Sequence, residues 1–215
     1  METLPRRTRL AVLARSLAIQ GSWNYRTLLG TGFAFALIPA LRRIHAMDEP
    51  GELEEAVRRH GRVFNSHPYL SPVALGAVAR LEAEGADPAM IERFKSAVRG
   101  ALGSLGDRLV WTGWRPVCVL LGLTVWLAGA PAWAAAAIFL AVYNIGHVAL
   151  RAWALHVGLR DGVRVAGRFR GSRIERVEHA LAPAGAFLVG VSIPLVARGG
   201  GALATGTPLG PGGLA

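Results

Sequence analysis

Four clusters of polar side chains interrupt an otherwise apolar sequence, and these are the places where the chain could do chemistry. They are Gln20/Trp23/Asn24/Tyr25, Asn65/His67/Tyr69, Asp107 beside Arg108, and Tyr143/Asn144/His147 with Arg151. Asn144 and His147 stand three residues apart inside an apolar run, so a helix puts them on one face. At membrane depth such groups need a hydrogen-bond partner or a water-lined cavity. Amides and a carboxylate can engage hydroxyls, and an aromatic ring covers a C–H surface. Together they suit the binding or gating of a neutral sugar. The same polar residues can instead join neighbouring helices, and Asp107 can pair with Arg108 or Arg115 or cap a helix. The residues alone leave both readings open.

Other chemistries find no support. No GxSxG or GxxxxGK[ST] pattern is present, and Gly30-Thr31-Gly32 is too short for a phosphate cradle, so no catalytic residue is assigned. The histidines at 45, 60, 67, 147, 156 and 179 show no HExxH and no zinc-ligand spacing; no metal and no cofactor is expected. His45 and His60 sit among charged residues and are expected to be solvated. Cys118 has no partner within the chain and reads as a small core residue.

The elements that must position these clusters follow from composition. Of 215 residues, 52% are hydrophobic and only 18% charged, while the net charge is +10, with Lys95 as the single lysine. A basic excess can mean nucleic acid, anionic lipid or the positive-inside bias of membrane proteins. Here the arginines flank apolar runs, at Arg6-Arg7-Thr8-Arg9, Arg42-Arg43, Arg108 with Arg115, and Arg160 to Arg176. That distribution points to a membrane and away from nucleic acid. Trp111, Trp114, Trp126, Trp133 and Trp153 lie near the ends of apolar runs and read as interface anchors. The basic N-terminus is not followed by an A-x-A-like site, so no cleaved signal peptide is expected.

The periodicity predicts an all-α membrane protein: an amphipathic and re-entrant helical region over 1–115, about three transmembrane segments over 116–197, and a Gly/Pro-rich disordered tail over 198–215. In the first region Leu10, Leu13 and Leu17 share a face. Residues 28–41 are too short to span and suit a buried or re-entrant helix. Residues 52–64 are amphipathic, a short helix runs from Pro72 to about Glu84, and Asp87-Pro88 caps the next. Gly103-Ser104-Leu105-Gly106-Asp107 reads as a loop. Apolar runs then cover Val117–Leu127 (with Val110–Trp114 if it is to span), Trp133–Leu150 and Ala180–Ala197. Between the last two, Arg160–Glu178 holds six arginines against three acids, which places that loop in the cytoplasm and the Gly129–Pro131 turn outside.

The clusters also carry a family pattern. Arg15-Ser16, Gln20-x-Ser22-Trp23-Asn24-Tyr25, Gly30-x-Gly32-Phe33-Ala34 and Leu37-Ile38-Pro39-Ala40-Leu41, in that order, form one string. Phe64 to Tyr69 form a second, Gly103-x-Leu105-Gly106-Asp107 with Trp111 and Arg115-Pro116 a third, and Tyr143-Asn144-Ile145 with Arg151 a fourth. In that order, over 15–160, they resemble the IID component of the mannose/fructose/sorbose family of the phosphoenolpyruvate-dependent sugar phosphotransferase system. The resemblance implies a multi-pass subunit of the inner membrane that moves a hexose-like sugar. It also implies a hetero-oligomer with a IIC membrane subunit, coupled to phosphorylation by IIA and IIB phosphocarriers. It further implies that the phosphorylated histidines belong to those partners, so His67 and His147 are not phosphohistidines.

Two positions depart from the family pattern: Arg108 stands where many members have a small residue, and Gly146-His147 where a proline is frequent. A longer C-terminal region with a final apolar segment is also typical of the family. A regulatory or receptor-like descendant that keeps the scaffold without transport is therefore the alternative reading.

Overall fold

Asp87 and Pro88 start the longest helical run, as their types require. The Asp87 carboxylate accepts from the Met90 N–H at 3.1 Å, and Pro88 is the first helical residue, where a missing N–H costs nothing. The structure is a computed structural model that describes residues 4–167 and 173–204. Among them are eight α-helices and no strand: α1 (Arg6–Ser16), α2 (Gly30–Ile44), α3 (Glu52–His60), α4 (Ser71–Ala83), α5 (Pro88–Gly106), α6 (Arg115–Leu127), α7 (Ala132–Asp161) and α8 (Arg173–Ala204).

The loop expected at Gly103–Asp107 is instead helix. α5 runs through Gly106 into a π-helical stretch, Asp107–Trp114, and on into α6. Pro116 supplies the physical reason for the widened turn. Its ring would strike the Thr112 carbonyl of a regular α-helix, and loosening the helix just before it removes that clash.

Packing divides the chain differently from composition. One unit holds Met1–Gly106 with Val148–Arg170, and the other holds Asp107–His147 with Gly171–Ala215. In the first, α4 is apolar on all sides and nearly wholly buried, from Val73 to Ala79 without a break. Such a helix can only be a core helix. α2 buries Phe33, Ala36, Leu37, Ala40 and Leu41 completely, so the run too short to span serves as a core element. In the second unit α6 packs with α8 and with the π-helical stretch, and Thr124 and Ser192 join α6 to α8 through their hydroxyls at 2.9 Å.

Three runs are long and apolar enough to cross a membrane: Pro88–Leu127, Ala132–Val165 and Arg176–Arg198. Only 22%, 6% and 11% of their apolar windows is buried inside the protein, which leaves large apolar faces open to lipid or to another membrane subunit. The charged stretch after Arg160 begins as the end of α7 and a 3-10 turn, Gly162–Gly167. Of the tail expected from 198, residues up to Ala204 continue α8, and 205–215 lie outside the described residues.

Candidate functional site

The first two polar clusters are stitched together by backbone. Asn24 and Leu28 exchange backbone hydrogen bonds, Leu29 N–H donates to the Phe64 carbonyl at 2.9 Å, and Phe64 N–H donates to Thr27 at 3.2 Å. Leu28 adopts φ +56, a left-handed conformation that a leucine takes only when its surroundings fix it. The Asn24 side chain does much of that fixing. Its Oδ1 accepts from the N–H groups of Arg26 and Thr27 at 2.9 and 3.0 Å. Its Nδ2 donates to the Ser22 carbonyl at 3.1 Å and to Thr27 Oγ1 at 2.8 Å. The amide is thereby saturated by its own turn. Gln20 and Trp23 are exposed beside it, with Trp23 edge-on to Tyr25.

Below this turn lies a buried polar centre. His67, only 2% exposed, accepts the Tyr69 N–H on Nδ1 at 3.2 Å, so the neutral ring carries its proton on Nε2. Gly106 lies against it so closely that an added Cβ would overlap the imidazole. Arg151, also 2% exposed, stands over the Tyr69 ring at 4.7 Å and donates to the Ser16 carbonyl at 2.5 Å. One buried centre therefore gathers residues from the first, second and fourth motif strings and the glycine that ends α5.

Burial, and after it the Arg151 guanidinium, hold the His67 pKa down to about 4. The unfolded chain takes up that proton near 6.5, ahead of the folded one. The stability tied to neutral His67 is therefore whole above pH 6.5 and drains away as pH falls toward 4, by about 3 kcal/mol. Thermal unfolding in detergent across pH 4–7 should show this fall, and His67→Gln should flatten it. Parallel curves for the two proteins would rule the assignment out.

The remaining candidates stand apart from this centre. Asn65 is exposed, with no hydrogen bond to its side chain among the described residues. Asp107 opens the π-helical stretch and is also exposed. Neither arginine expected to pair with it does so: Arg108 Nε binds Glu178 at 2.6 Å, and Arg115 stacks on Trp111 at 5.5 Å. Asn144 is exposed and donates to the Leu140 carbonyl of its own helix at 2.6 Å. His147 is half-buried, 5.8 Å from the Tyr143 ring. Trp114, expected to anchor at an interface, packs its indole into the space a Cβ on Gly146 would need.

Sequence reasoning missed a second buried network. His60 is wholly buried and His45 largely so, contrary to the expected solvation. Glu82 Oε1 accepts from His60 Nε2 at 2.7 Å and from Arg59 Nη2 at 2.8 Å, while Oε2 lies 3.4 Å from His45 Nε2. The partners lie more than twenty residues apart, so no local pattern announces them. No cluster of three potential metal ligands occurs among the described residues.

This fold defines an all-α membrane protein with three helices long and apolar enough to span a bilayer. The family model for the PTS system mannose/fructose/sorbose family IID component matches residues 3–198. The chain belongs to that family. It is 29% identical over 198 residues to the mannose-specific EIID component of Escherichia coli K12, covering 86% of this chain and 69% of that protein. It is 28% identical over 192 residues to the sorbose-specific EIID component of Klebsiella pneumoniae, covering 86% and 68%. The fructose permease IID component of Bacillus subtilis is 27% identical over 200 residues, covering 86% and 71%. Among solved structures, a chain from the cryo-EM complex of the mannose transporter ManYZ with microcin E492 superposes with a TM-score of 0.68 at 28% identity. That match covers 88% of this chain and 70% of the other.

Proposed function

We propose that this chain is the IID translocator subunit of a mannose-type permease. It moves a hexose-like sugar across the inner membrane with a IIC subunit, while IIA and IIB units supply the phosphoryl group. The observation that carries this reading is the family match over residues 3–198, which takes in all four polar clusters. Relatives named for mannose, sorbose and fructose support a neutral hexose as cargo. Kinship with a ManYZ chain supports work within a membrane complex.

The division of labour follows from the side chains. The chain has no assigned catalytic group, so its task is to bind, orient and pass the sugar. Among the described residues the side chains of the candidates Gln20, Asn65 and Asp107 form no hydrogen bond or ion pair, and of these Asn65 and Asp107 are put forward for contact or gating. Asn24 is held by its own turn and shapes the backbone beside Asn65. The arginine-rich end of α7 faces the cytoplasm in this reading.

The test is co-purification of the tagged chain with its IIC subunit, followed by phosphoenolpyruvate-dependent sugar uptake in vesicles carrying all components. Asn65→Ala and Asp107→Asn are expected to lower uptake at least roughly tenfold, the worth of a lost polar contact, and to leave co-purification intact. Full uptake by both variants would remove them from the sugar path, and loss of co-purification would make them packing residues. Co-purification of the unaltered chain without uptake would favour the regulatory reading.

A further inference from the structure

The first unit contains a cavity of about 530 Å³ between the start of α1, the ends of α2 and α4, and the last turns of α7. Its charge and its floor are of different character. Leu4, Ile44 and Leu159 supply apolar surface, and Arg9, Arg43, Arg80 and Arg160 supply cations. Two of these cations are already engaged. Arg80 binds Glu84 at 2.8 Å and donates to the Arg160 carbonyl, and Arg160 itself grips Asp161 through two bonds of 2.9 and 3.0 Å. The Glu84 carboxylate in the wall is therefore committed to Arg80. Arg9 and Arg43 form no ion pair or hydrogen bond through their side chains among the described residues.

Depth matters as much as charge. Leu159 and Arg160 belong to the last turns of α7, where the apolar span Ala132–Val165 meets its charged end. That is the level of lipid headgroups in a span of this kind. A free phosphate or a sugar phosphate would leave the Leu4/Ile44/Leu159 floor facing water. A molecule with both an anion and an acyl chain satisfies both surfaces.

We propose that this cavity is a headgroup site for an acidic phospholipid, its phosphate between Arg9 and Arg43 and the first methylenes of an acyl chain on Leu4, Ile44 and Leu159. The site rests on the membrane spans alone and is independent of which sugar the protein moves. It would tie α1, which carries the N-terminal arginines, to the bilayer surface.

Native mass spectrometry of the full chain in a neutral detergent tests this, with phosphatidylglycerol and phosphatidylcholine of matched chains as probes. Phosphatidylglycerol should bind roughly 25-fold more tightly, about fivefold for each arginine near the surface. The Arg9→Gln/Arg43→Gln double variant should bring the two lipids to near-equal affinity. The Arg7→Gln/Arg42→Gln pair, which removes the same charge outside the cavity, should keep the preference. Equal binding of both lipids to the unaltered chain would overturn the site. So would equal loss in the two double variants, which would mean diffuse attraction. Millimolar glycerol 3-phosphate should leave the lipid in place, and its displacing the lipid would make the occupant a free phosphate ester. If the first double variant does not fold, the lipid comparison and this competition on the unaltered chain decide the matter.

Discussion

Glu82→Ala should lower stability by about 3–5 kcal/mol, the cost of leaving the largely buried Arg59 guanidinium without its counter-charge and the buried His60 ring without its acceptor. Glu82 is 8% exposed and holds Arg59 and His60 on one oxygen and His45 on the other. Burial alone would raise its pKa, but the hydrogen bonds from His60 and Arg59 outweigh burial and hold it down to about 2. The carboxylate's share of stability is therefore present above pH 4.5 and is lost as pH falls toward 2. His60 acts in the same direction: burial lowers its pKa, so acid below 6.5 favours the unfolded chain. Thermal unfolding in detergent reads the effect as a midpoint roughly 10 °C lower. Glu82→Gln, which keeps one acceptor oxygen, should fall between. A midpoint for Glu82→Ala within about 2 °C of the unaltered protein, by the same scale, would show that the network adds little.

The second large effect is expected at the crossing of α4 and α7. A Cβ at Gly158 would overlap the Val73 carbonyl oxygen and lie 2.9 Å from the Ala77 nitrogen, and one at Gly76 would overlap the Leu155 carbonyl. These neighbours are backbone atoms and cannot rotate away. Small residues allow helices in a membrane protein this close approach, which is where their dispersion energy comes from. Gly158→Val should cost about 3 kcal/mol, the upper end of overpacking, and should reduce the folded protein recovered from membranes. Gly190→Ala is the control. Nothing lies within 4 Å of its Cβ position, so it should be neutral or slightly stabilising. If the two substitutions behave alike, the tight crossing is not what holds α7 to α4.

The spans were legible because each is an apolar run bounded by arginine, glycine or proline, and lipid demands little else of a sequence. The Asp87-Pro88 cap was legible because its chemistry is local. Gly103 and Gly106 misled for a definite reason. In an aqueous domain glycines read as breaks, whereas Gly106 is small because the His67 ring occupies the space beside it. The Glu82 network was hidden because charged side chains read as solvated unless their partners are known, and these partners lie on other helices. The motifs located the polar centre through His67 and Tyr69. Arg151 and Ser16, which close it, also stand in the motif strings, but their pairing was hidden because a carbonyl acceptor leaves no mark in residue type.

The discontinuity of the first unit has a consequence for biosynthesis. When Gly106 leaves the ribosome, α4 has no α7 to receive Gly76, and the Ser16 carbonyl has no Arg151. The stretch Asp107–His147 must be made first, which takes several seconds at roughly 5–20 residues per second. During that interval the nascent N-terminal half exposes an unfinished core and needs shelter, from the insertion machinery or a chaperone. A stop codon after His147 would therefore forfeit both units, because the first lacks the second half of α7 and the second lacks α8.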